Sequence, residues 1–301
     1  MQTKTQNAPW TILRLLEWTS VYFKKHGVES PRAAAEILLA KSLDLRRIDL
    51  YLRYDQPVVA DELTRFKATI KRRANREPVA YIIGAKEFWS MELSITPAVL
   101  IPRPETECLV EAALSHLRAK EEQTSVFKPQ SILELGTGSG AIILALAKER
   151  PGQFFAACDI SPAAIRVARE NAKRHTLNDS VHFFCGNWMQ SLKTNGLTFD
   201  LIVSNPPYIR SGDIDGLEPE INLYEPKKAL DGGPDGLNDL KRIVRTAPAY
   251  LKAGGKLIIE IGYDQKKDLK KIIDQEGCYK KVAFIRDYSG HDRVAVMTLA
   301  S

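Results

Sequence analysis

The residues best suited to chemistry in this chain are Asn205, Pro206, Pro207 and Tyr208, which follow the apolar, β-favouring run from Phe199 to Val203. Two consecutive prolines carry no backbone N–H, so the loop closing this strand is short of donors and rich in carbonyl oxygens. The Asn205 side-chain oxygen adds another acceptor, and Tyr208 adds a flat aromatic face. A planar –NH2 group brings two donors and needs two acceptors. The Asn205 side-chain oxygen and the Pro206 carbonyl form a suitable cradle, with the Tyr208 ring as a wall for a planar amide or base. Such a site suits methyl transfer to a conjugated nitrogen whose lone pair must be turned out of conjugation. Asn takes no proton near neutral pH. Its expected role is to orient the nitrogen and stabilise the charge developing there, solvent removing the proton later. Orientation lowers such a barrier by up to about 7–11 kcal/mol, so a transfer without a general base is energetically reasonable.

A second cluster lies upstream. "SILELGTGSGAIILALAKE" (131–149) reads as a strand, a glycine-rich turn and a helix. Gly136, Gly138 and Gly140, with Thr137 and Ser139 between them, let the backbone turn tightly and approach a ligand. The spacing Gly136-x-Gly138-x-x-Ala141 also meets the loose dinucleotide pattern, so the glycines leave NAD and S-adenosylmethionine both open. Asp159 closes the next strand, where a carboxylate can accept both ribose hydroxyls of a nucleoside. A dinucleotide sets a pyrophosphate against the helix N-terminus, whereas S-adenosylmethionine has no phosphate and needs room for a zwitterionic arm. The choice between them falls to the loop at 205–208.

These clusters need a scaffold that brings them to one edge. From residue 105 onward helices and strands alternate: helix 105–119, strand 131–135, helix 140–149, strand 153–158, helix 162–174 and strand 181–185. A strand at 199–204, a helix at 236–251 and a strand at 255–261 continue the series. Alternation of this kind implies a mainly parallel sheet covered on both faces, whose C-terminal edge holds ligands. "VAFIRDYSGHDRVAVMTLA" then offers two strands around a Ser-Gly turn, and so short a connection reverses one strand. The fold expected is α/β, a Rossmann-like sheet of seven strands with one reversed.

Residues 9–75 read as helical throughout. "WTILRLLEWTSVYFKKHG" places Ile12, Leu15, Leu16, Thr19 and Phe23 on one face and ends at Gly27. "SPRAAAEILLAKS" begins with Ser30 as N-cap and Pro31 at the first helical position. A third helix carries Leu63, Phe66 and Ile70 inward, and its basic end, Lys71 to Arg73, suits the helix dipole. Residues 76–103 hold "EFWSMELSIT", which alternates like a β-hairpin, and the proline-broken "LIPRPETE". The expected division is a helical bundle at 1–75, a β-hairpin connector at 76–103 and the sheet domain at 104–301.

The bulk numbers exclude several classes. With 301 residues, 44% hydrophobic and 27% charged, the chain is an ordinary folded protein. Its 43 basic and 37 acidic residues leave a formal charge of +6, a mixed surface with little bias towards nucleic acid. Cys108, Cys158, Cys185 and Cys278 and five scattered histidines show no metal-ligand spacing, so no metal is expected. No apolar run is long enough to span a membrane, and "MQTKTQNAPW" has no targeting pattern, so a cytoplasmic protein with reduced thiols is expected.

Together these stretches resemble the class I S-adenosylmethionine-dependent methyltransferases. More closely, the sequence resembles the HemK-type release factor glutamine methyltransferases, which modify the Gln of the Gly-Gly-Gln tripeptide in class 1 peptide chain release factors. The resemblance covers almost the whole chain. "SPRAAAEILL" and "REPVAYIIGAKEFWSMEL" are followed in family order by "LIPRPETECLVE", "LELGTGSGAIILALA", "SNPPYI", "YEPKKALDGGPDGL" and "DYSGHDRVAV". It implies a pocket for S-adenosylmethionine, released as S-adenosylhomocysteine, in which Gly136, Thr137, Gly138, Ser139 and Gly140 surround the methionine arm. Asp159 would hold the ribose and Trp188 would pack on the adenine. Asn205 would face both methyl donor and substrate, with Pro206, Pro207 and Tyr208 on the substrate side. Asn187 stands where family members often carry Asp, and either residue accepts from an adenine amino group. Arg103, Glu105 and Thr106 would help close the pocket, and the helical bundle would recognise the release factor. A monomer without direct nucleic-acid binding is expected.

Three rivals share part of this pattern. A ribosomal-protein glutamine methyltransferase resembles the chain at "NPPY" but differs where this one reads "IPRPETE" and in its N-terminal region. An N6-adenine DNA methyltransferase shares Asn-Pro-Pro-Tyr, yet needs a nucleic-acid surface and usually a target-recognition domain, and no such insertion is visible. A non-catalytic binding module would have no need of an intact glycine loop together with Asn205.

Overall fold

A computed structural model describes residues 9–117, 129–192 and 196–300. The chain divides into two compact units, one running to Gly84 with Glu218–Tyr224 added, the other comprising Ala85–Leu217 and the residues from Glu225 onward.

Apolar spacing builds the helical unit. Helix α1 (Ile12–Lys25) buries Ile12, Leu15, Leu16, Thr19 and Phe23, the stripe expected of a 3.6-residue period. Helix α2 (Pro31–Ser42) begins at Pro31, whose fixed φ suits the first turn. Ser30 has a φ of 47° and makes no capping bond, so the expected side-chain cap is absent. After the short α3 (Asp49–Leu52), α4 (Ala60–Ala74) turns Phe66 and Ile70 inward. Phe23 and Phe66 are fully buried, each worth roughly 1.5–3 kcal/mol relative to exposure. The basic end of α4 does more than answer the helix dipole. Arg73 is buried and pairs with Glu220 at 2.6 Å, and Arg76 meets the same carboxylate at 2.5 Å.

The expected boundary at 75/76 is therefore corrected in two ways. Residues Val79–Ile83 form α5, which packs on α2 and α4 and so belongs with the helices. A downstream helix, Pro219–Tyr224, joins the same unit through Glu220. The hairpin, β1 (Ala85–Phe88) and β2 (Met91–Ser94), belongs to the other unit. Its turn residues Trp89 and Ser90 both have a φ of 51°, a left-handed conformation usually left to Gly or Asn.

In the second unit, α6 (Glu107–Leu114) follows a single 3-10 turn, shorter than the helix expected at 105–119, of which 118 and 119 lie outside the described residues. Then come β3 (Ser131–Leu135), α7 (Ala141–Glu149), β4 (Phe154–Asp159), α8 (Pro162–Arg174) and β5 (Val181–Cys185). Next are β6 (Phe199–Ser204), the helix already met (α9, Pro219–Tyr224), α10 (Asn238–Thr246), β7 (Leu251–Glu260), α11 (Lys266–Glu276), β8 (Tyr279–Arg286) and β9 (Asp292–Leu299). Helix α10 stops before the 3-10 turn at Pro248, whose missing N–H breaks the helix expected through 251. The sheet order is β5-β4-β3-β6-β7-β9-β8, and β9 alone runs against its neighbours, inserted between β7 and β8. This is the Rossmann-like seven-stranded sheet with one reversed strand that the alternation implies. Strand β6 buries all but Asp200, as a parallel strand covered on both faces must. Among the described residues no helix is long and apolar enough to cross a membrane, and no group of three or more His, Cys, Asp or Glu is placed to hold a metal.

Candidate active site

The chain climbs outward from β3 to β4 to β5, then crosses to β6 on the other side of β3. Open α/β sheets bind ligands at such a switch point, beyond the carboxyl ends of the strands. Leu135 pairs with Ser204, and the Ser204 hydroxyl donates to the Leu135 carbonyl at 2.8 Å. The next residue on each strand is Gly136 and Asn205, so the two clusters sit side by side.

A cleft of about 690 Å³ opens there, within the roughly 300–1,000 Å³ typical of small-molecule sites. Gly136, Thr137, Gly138 and Ser139 line it, as do Asp159, Asn187, Trp188, Asn205 and Pro207. Three residues expected at the site do not: Gly140, Pro206 and Tyr208. Gly140 has a φ of 83° at the start of α7, and a Cβ there would lie 3.3 Å from the Ala168 methyl. Its role is close packing of α7 on α8.

The glycine turn is bolted to β4, since the Gly136 and Thr137 amides both donate to the Cys158 carbonyl at 2.9 Å. Gly138 has a φ of 53° and open space where a side chain would stand. Its amide donates to Asp159 Oδ2 at 2.9 Å, while Asp159 Oδ1 accepts from the Ser161 amide at 2.8 Å. Both oxygens thus accept backbone bonds, and a carboxylate has further lone pairs to offer. Burial pushes the Asp159 carboxyl up, and its hydrogen bonds from the Ser161, Gly138 and Ile160 amides oppose the shift. Trp188, held at a φ of 54°, lies across Gly136, where a Cβ would come within 3.3 Å of the indole. Its ring N–H donates to Asp239 at 3.0 Å, which fixes the plane of the indole.

Asn205 is half-buried, and its Nδ2 donates to the Thr106 hydroxyl at 3.2 Å. Among the described residues no donor takes the Asn205 Oδ1 or the Pro206 carbonyl. Pro206 is buried, and Tyr208 packs on the core beneath β6 and β7 with its hydroxyl donating to Glu260 at 3.2 Å. The wall expected from Tyr208 is therefore absent from this cleft, to which Pro207 contributes instead. Of the connector residues, Arg103 and Thr106 line the cleft and Glu105 does not. Arg103 is held by buried Glu225 at 2.5 Å, which also accepts the Ile101 amide at 3.2 Å.

Several positioning groups escaped the sequence reading. Asn171 is fully buried and donates to the Ser94 and Ser139 carbonyls at 3.1 and 2.9 Å, joining the hairpin to the glycine turn. Gln265 donates to the Tyr208 and Gly236 carbonyls at 2.9 and 3.0 Å. Glu134 accepts from the Thr137 hydroxyl at 2.5 Å, and burial pushes its carboxyl up to about 8. A carboxylate inside the apolar runs "SILEL" and "KLIIEIG" was the available signal for Glu134 and Glu260.

Comparison with known proteins shows the family. The family described as "PrmC N-terminal domain" matches residues 14–84, and that described as "Methyltransferase domain" matches residues 127–295. A release factor glutamine methyltransferase of Rhodopirellula baltica is 38% identical, covering 100% of both chains. One from Geobacter sulfurreducens is 41% identical over 95% of each. The chain belongs to the release factor glutamine methyltransferase family. Its second unit has the class I methyltransferase fold, shared with a human methyltransferase 10 domain containing protein at a TM-score of 0.52 and 17% identity, over 70% of this chain and 89% of that one. That fold uses S-adenosylmethionine. The donor set is consistent with it: a carboxylate with lone pairs to spare for a ribose, an anchored indole, and a glycine face at Gly138 open to close approach.

Proposed function

We propose that this chain methylates the side-chain amide nitrogen of the glutamine in the Gly-Gly-Gln motif of class 1 peptide chain release factors, a reaction of the cytoplasm. One observation carries the reading: the Asn205 nitrogen is engaged by Thr106 while the Asn205 oxygen, on the cleft, has no partner among the described residues. A free acceptor at that position matches a donor of an amide –NH2. S-adenosylmethionine supplies a methyl group made electrophilic by its sulfonium. Asp159 would hold its ribose, Trp188 and Asn187 its adenine, and the Gly136–Ser139 turn its methionine arm. Asn205 orients the nitrogen and stabilises the positive charge growing on its hydrogens, an electrostatic role that needs no proton acceptor. The proton leaves to water.

The helical unit we assign to holding the protein substrate. Trp18, Val21, Leu52 and Tyr54 are 48%, 57%, 73% and 55% exposed, apolar side chains that a protein substrate could cover. Trp18→Ala should raise KM for the release factor and leave cofactor affinity unchanged; an unchanged KM would reject that assignment. The function itself is tested by incubating the chain with labelled S-adenosylmethionine and a release factor, then mapping the modified residue by mass spectrometry. Label on the glutamine is expected. Label on DNA or a ribosomal protein instead would refute the proposal.

A further inference from the structure

The cleft uses only part of the sheet edge. The ends of β3, β4, β5 and β6 contribute to its lining, and no residue beyond Arg242 does. β7 runs parallel to β6, and β7 and β8 both run against β9. The loop leaving β7 and the turn joining β8 to β9 therefore stand at the same edge as Asn205, on the side away from Gly136 and Asp159.

Two side chains mark this other half. Tyr263, just after β7, is 66% exposed, and Tyr288, in the β8–β9 turn, is 82% exposed. Among the described residues they are the most exposed large apolar side chains of the second unit. Single exposed apolar residues are ordinary. These two differ in how firmly they are held. The Tyr288 hydroxyl donates to Glu111 of α6 at 2.5 Å. The turn beneath it is closed by buried Asp287, whose Oδ1 accepts the Ser289 and His291 amides at 3.0 Å. The Asp287 amide donates to the His291 carbonyl at 2.8 Å. His291 is exposed as well, and its ring lies 5.7 Å from that of Tyr263. The Tyr263 loop is in turn fastened to the Asn205 loop, Gln265 donating to the Tyr208 carbonyl at 2.9 Å and Arg210 to Asp264 at 2.7 Å. Aromatic groups fixed in this way lose little freedom when a partner covers them.

We propose that Tyr263, His291 and Tyr288 form an aromatic platform for the stretch of release factor that flanks the glutamine, while the glutamine side chain enters the cleft at Asn205. The inference rests on that glutamine as the methylated group. Reach favours this occupant. Ser204 pairs with Ile259, so Asn205 is level with Glu260, and Tyr263 lies three residues further out, at most about 10 Å. β8 stands three strands from β6, roughly 14 Å away. A chain leaving Asn205 across β7 meets Tyr263 within about three residues and the β8–β9 turn within about five. The two glycines beside the glutamine suit a flat ring face, since no side chain holds their peptide planes away.

The test measures kcat, KM for a release factor and Kd for S-adenosylmethionine in the full chain and in Tyr263→Ala, Tyr288→Ala and Tyr288→Phe. Each alanine variant should raise KM for the release factor about tenfold, as truncation of an aromatic anchor does. Saturated kcat should stay within about twofold and cofactor Kd should be unchanged. Tyr288→Phe keeps the ring, so its KM should stay within about threefold of wild type. An unchanged KM in either alanine variant, or a loss confined to kcat, overturns the inference. Should Tyr288→Ala fail to fold, an unchanged KM for Tyr263→Ala overturns it. A wild-type dimer that Tyr288→Ala dissolves, with KM unchanged, would give the platform to a second copy of this chain and overturn it too. Absence of transfer to the release factor by the wild-type chain would overturn the proposed function and this inference with it. Transfer with wild-type KM in the alanine variants overturns this inference alone.

Discussion

Gly232 offers a way to displace Asn205 without touching substrate or cofactor. A Cβ at this position would stand 2.8 Å from the carbonyl oxygens of Pro207 and Gly236, where ordinary contact begins near 3.4 Å. Both oxygens are backbone and cannot rotate away, so Gly232→Ala must separate them from the new methyl by about 0.6 Å. The ladder beside them is short, with Gly232 N–H donating to the Ile209 carbonyl at 2.8 Å and Ile209 N–H to Leu230 at 3.0 Å. Pro206 and Pro207 have fixed φ, so the strain passes along the loop to Asn205. A 1 Å misplacement at a reacting centre costs roughly 100-fold, and about half of that distance should cost about tenfold in kcat. Overpacking costs about 1–3 kcal/mol, and at roughly 2–4 °C per kcal/mol the variant should still fold. The assay is steady-state methylation of a release factor at saturating cofactor, beside a thermal melt. A lowered melting temperature with kcat within about twofold of wild type would refute the claim that this brace positions Asn205.

Two further outcomes follow from the site. Asn205→Ala should lower kcat by about 10²–10³-fold, as loss of one preorganised polar group does, with cofactor affinity unchanged; near-normal turnover at saturation would count against its role. Glu134 has its carboxyl raised by burial from the ordinary 4.5 to about 8, so the folded chain binds this proton more tightly than the unfolded one. The stabilisation is complete below 4.5 and is lost as pH rises towards 8. Wild type should therefore lose melting temperature across that window relative to Glu134→Gln, and parallel pH curves for the two proteins would reject the assignment.

The legible parts of this protein are those where one residue's neighbours in sequence are also its neighbours in space. The buried stripe of α1 appears residue for residue in the spacing of Ile12, Leu15, Leu16, Thr19 and Phe23. The glycine turn, Asp159 and Asn205 could be placed on one edge because alternation of strands and helices specifies a parallel sheet, and a parallel sheet puts all those strand ends together. Local chemistry did not show where a non-glycine residue takes the left-handed conformation. Ser30 reads as a capping residue yet sits at a φ of 47°, and Trp89-Ser90 makes a left-handed turn without Gly or Asn.

By itself the sequence determined the Asn-Pro-Pro-Tyr loop, the glycine turn and the sheet that joins them, since each rests on local backbone chemistry: missing N–H groups, glycine φ values and the period of apolar residues. Tertiary structure decided what those pieces touch. Arg73 looks like a cation at a helix end, and only the return of the chain at Glu220 buries it. Tyr208 looks like a wall for substrate, and only packing on the core turns its hydroxyl to Glu260. Glu260 sits in an apolar strand, 155 residues from Glu105 and 52 from Tyr208. Its state depends on burial and on charges brought in by three separate segments, and no stretch of neighbouring residues carries that information.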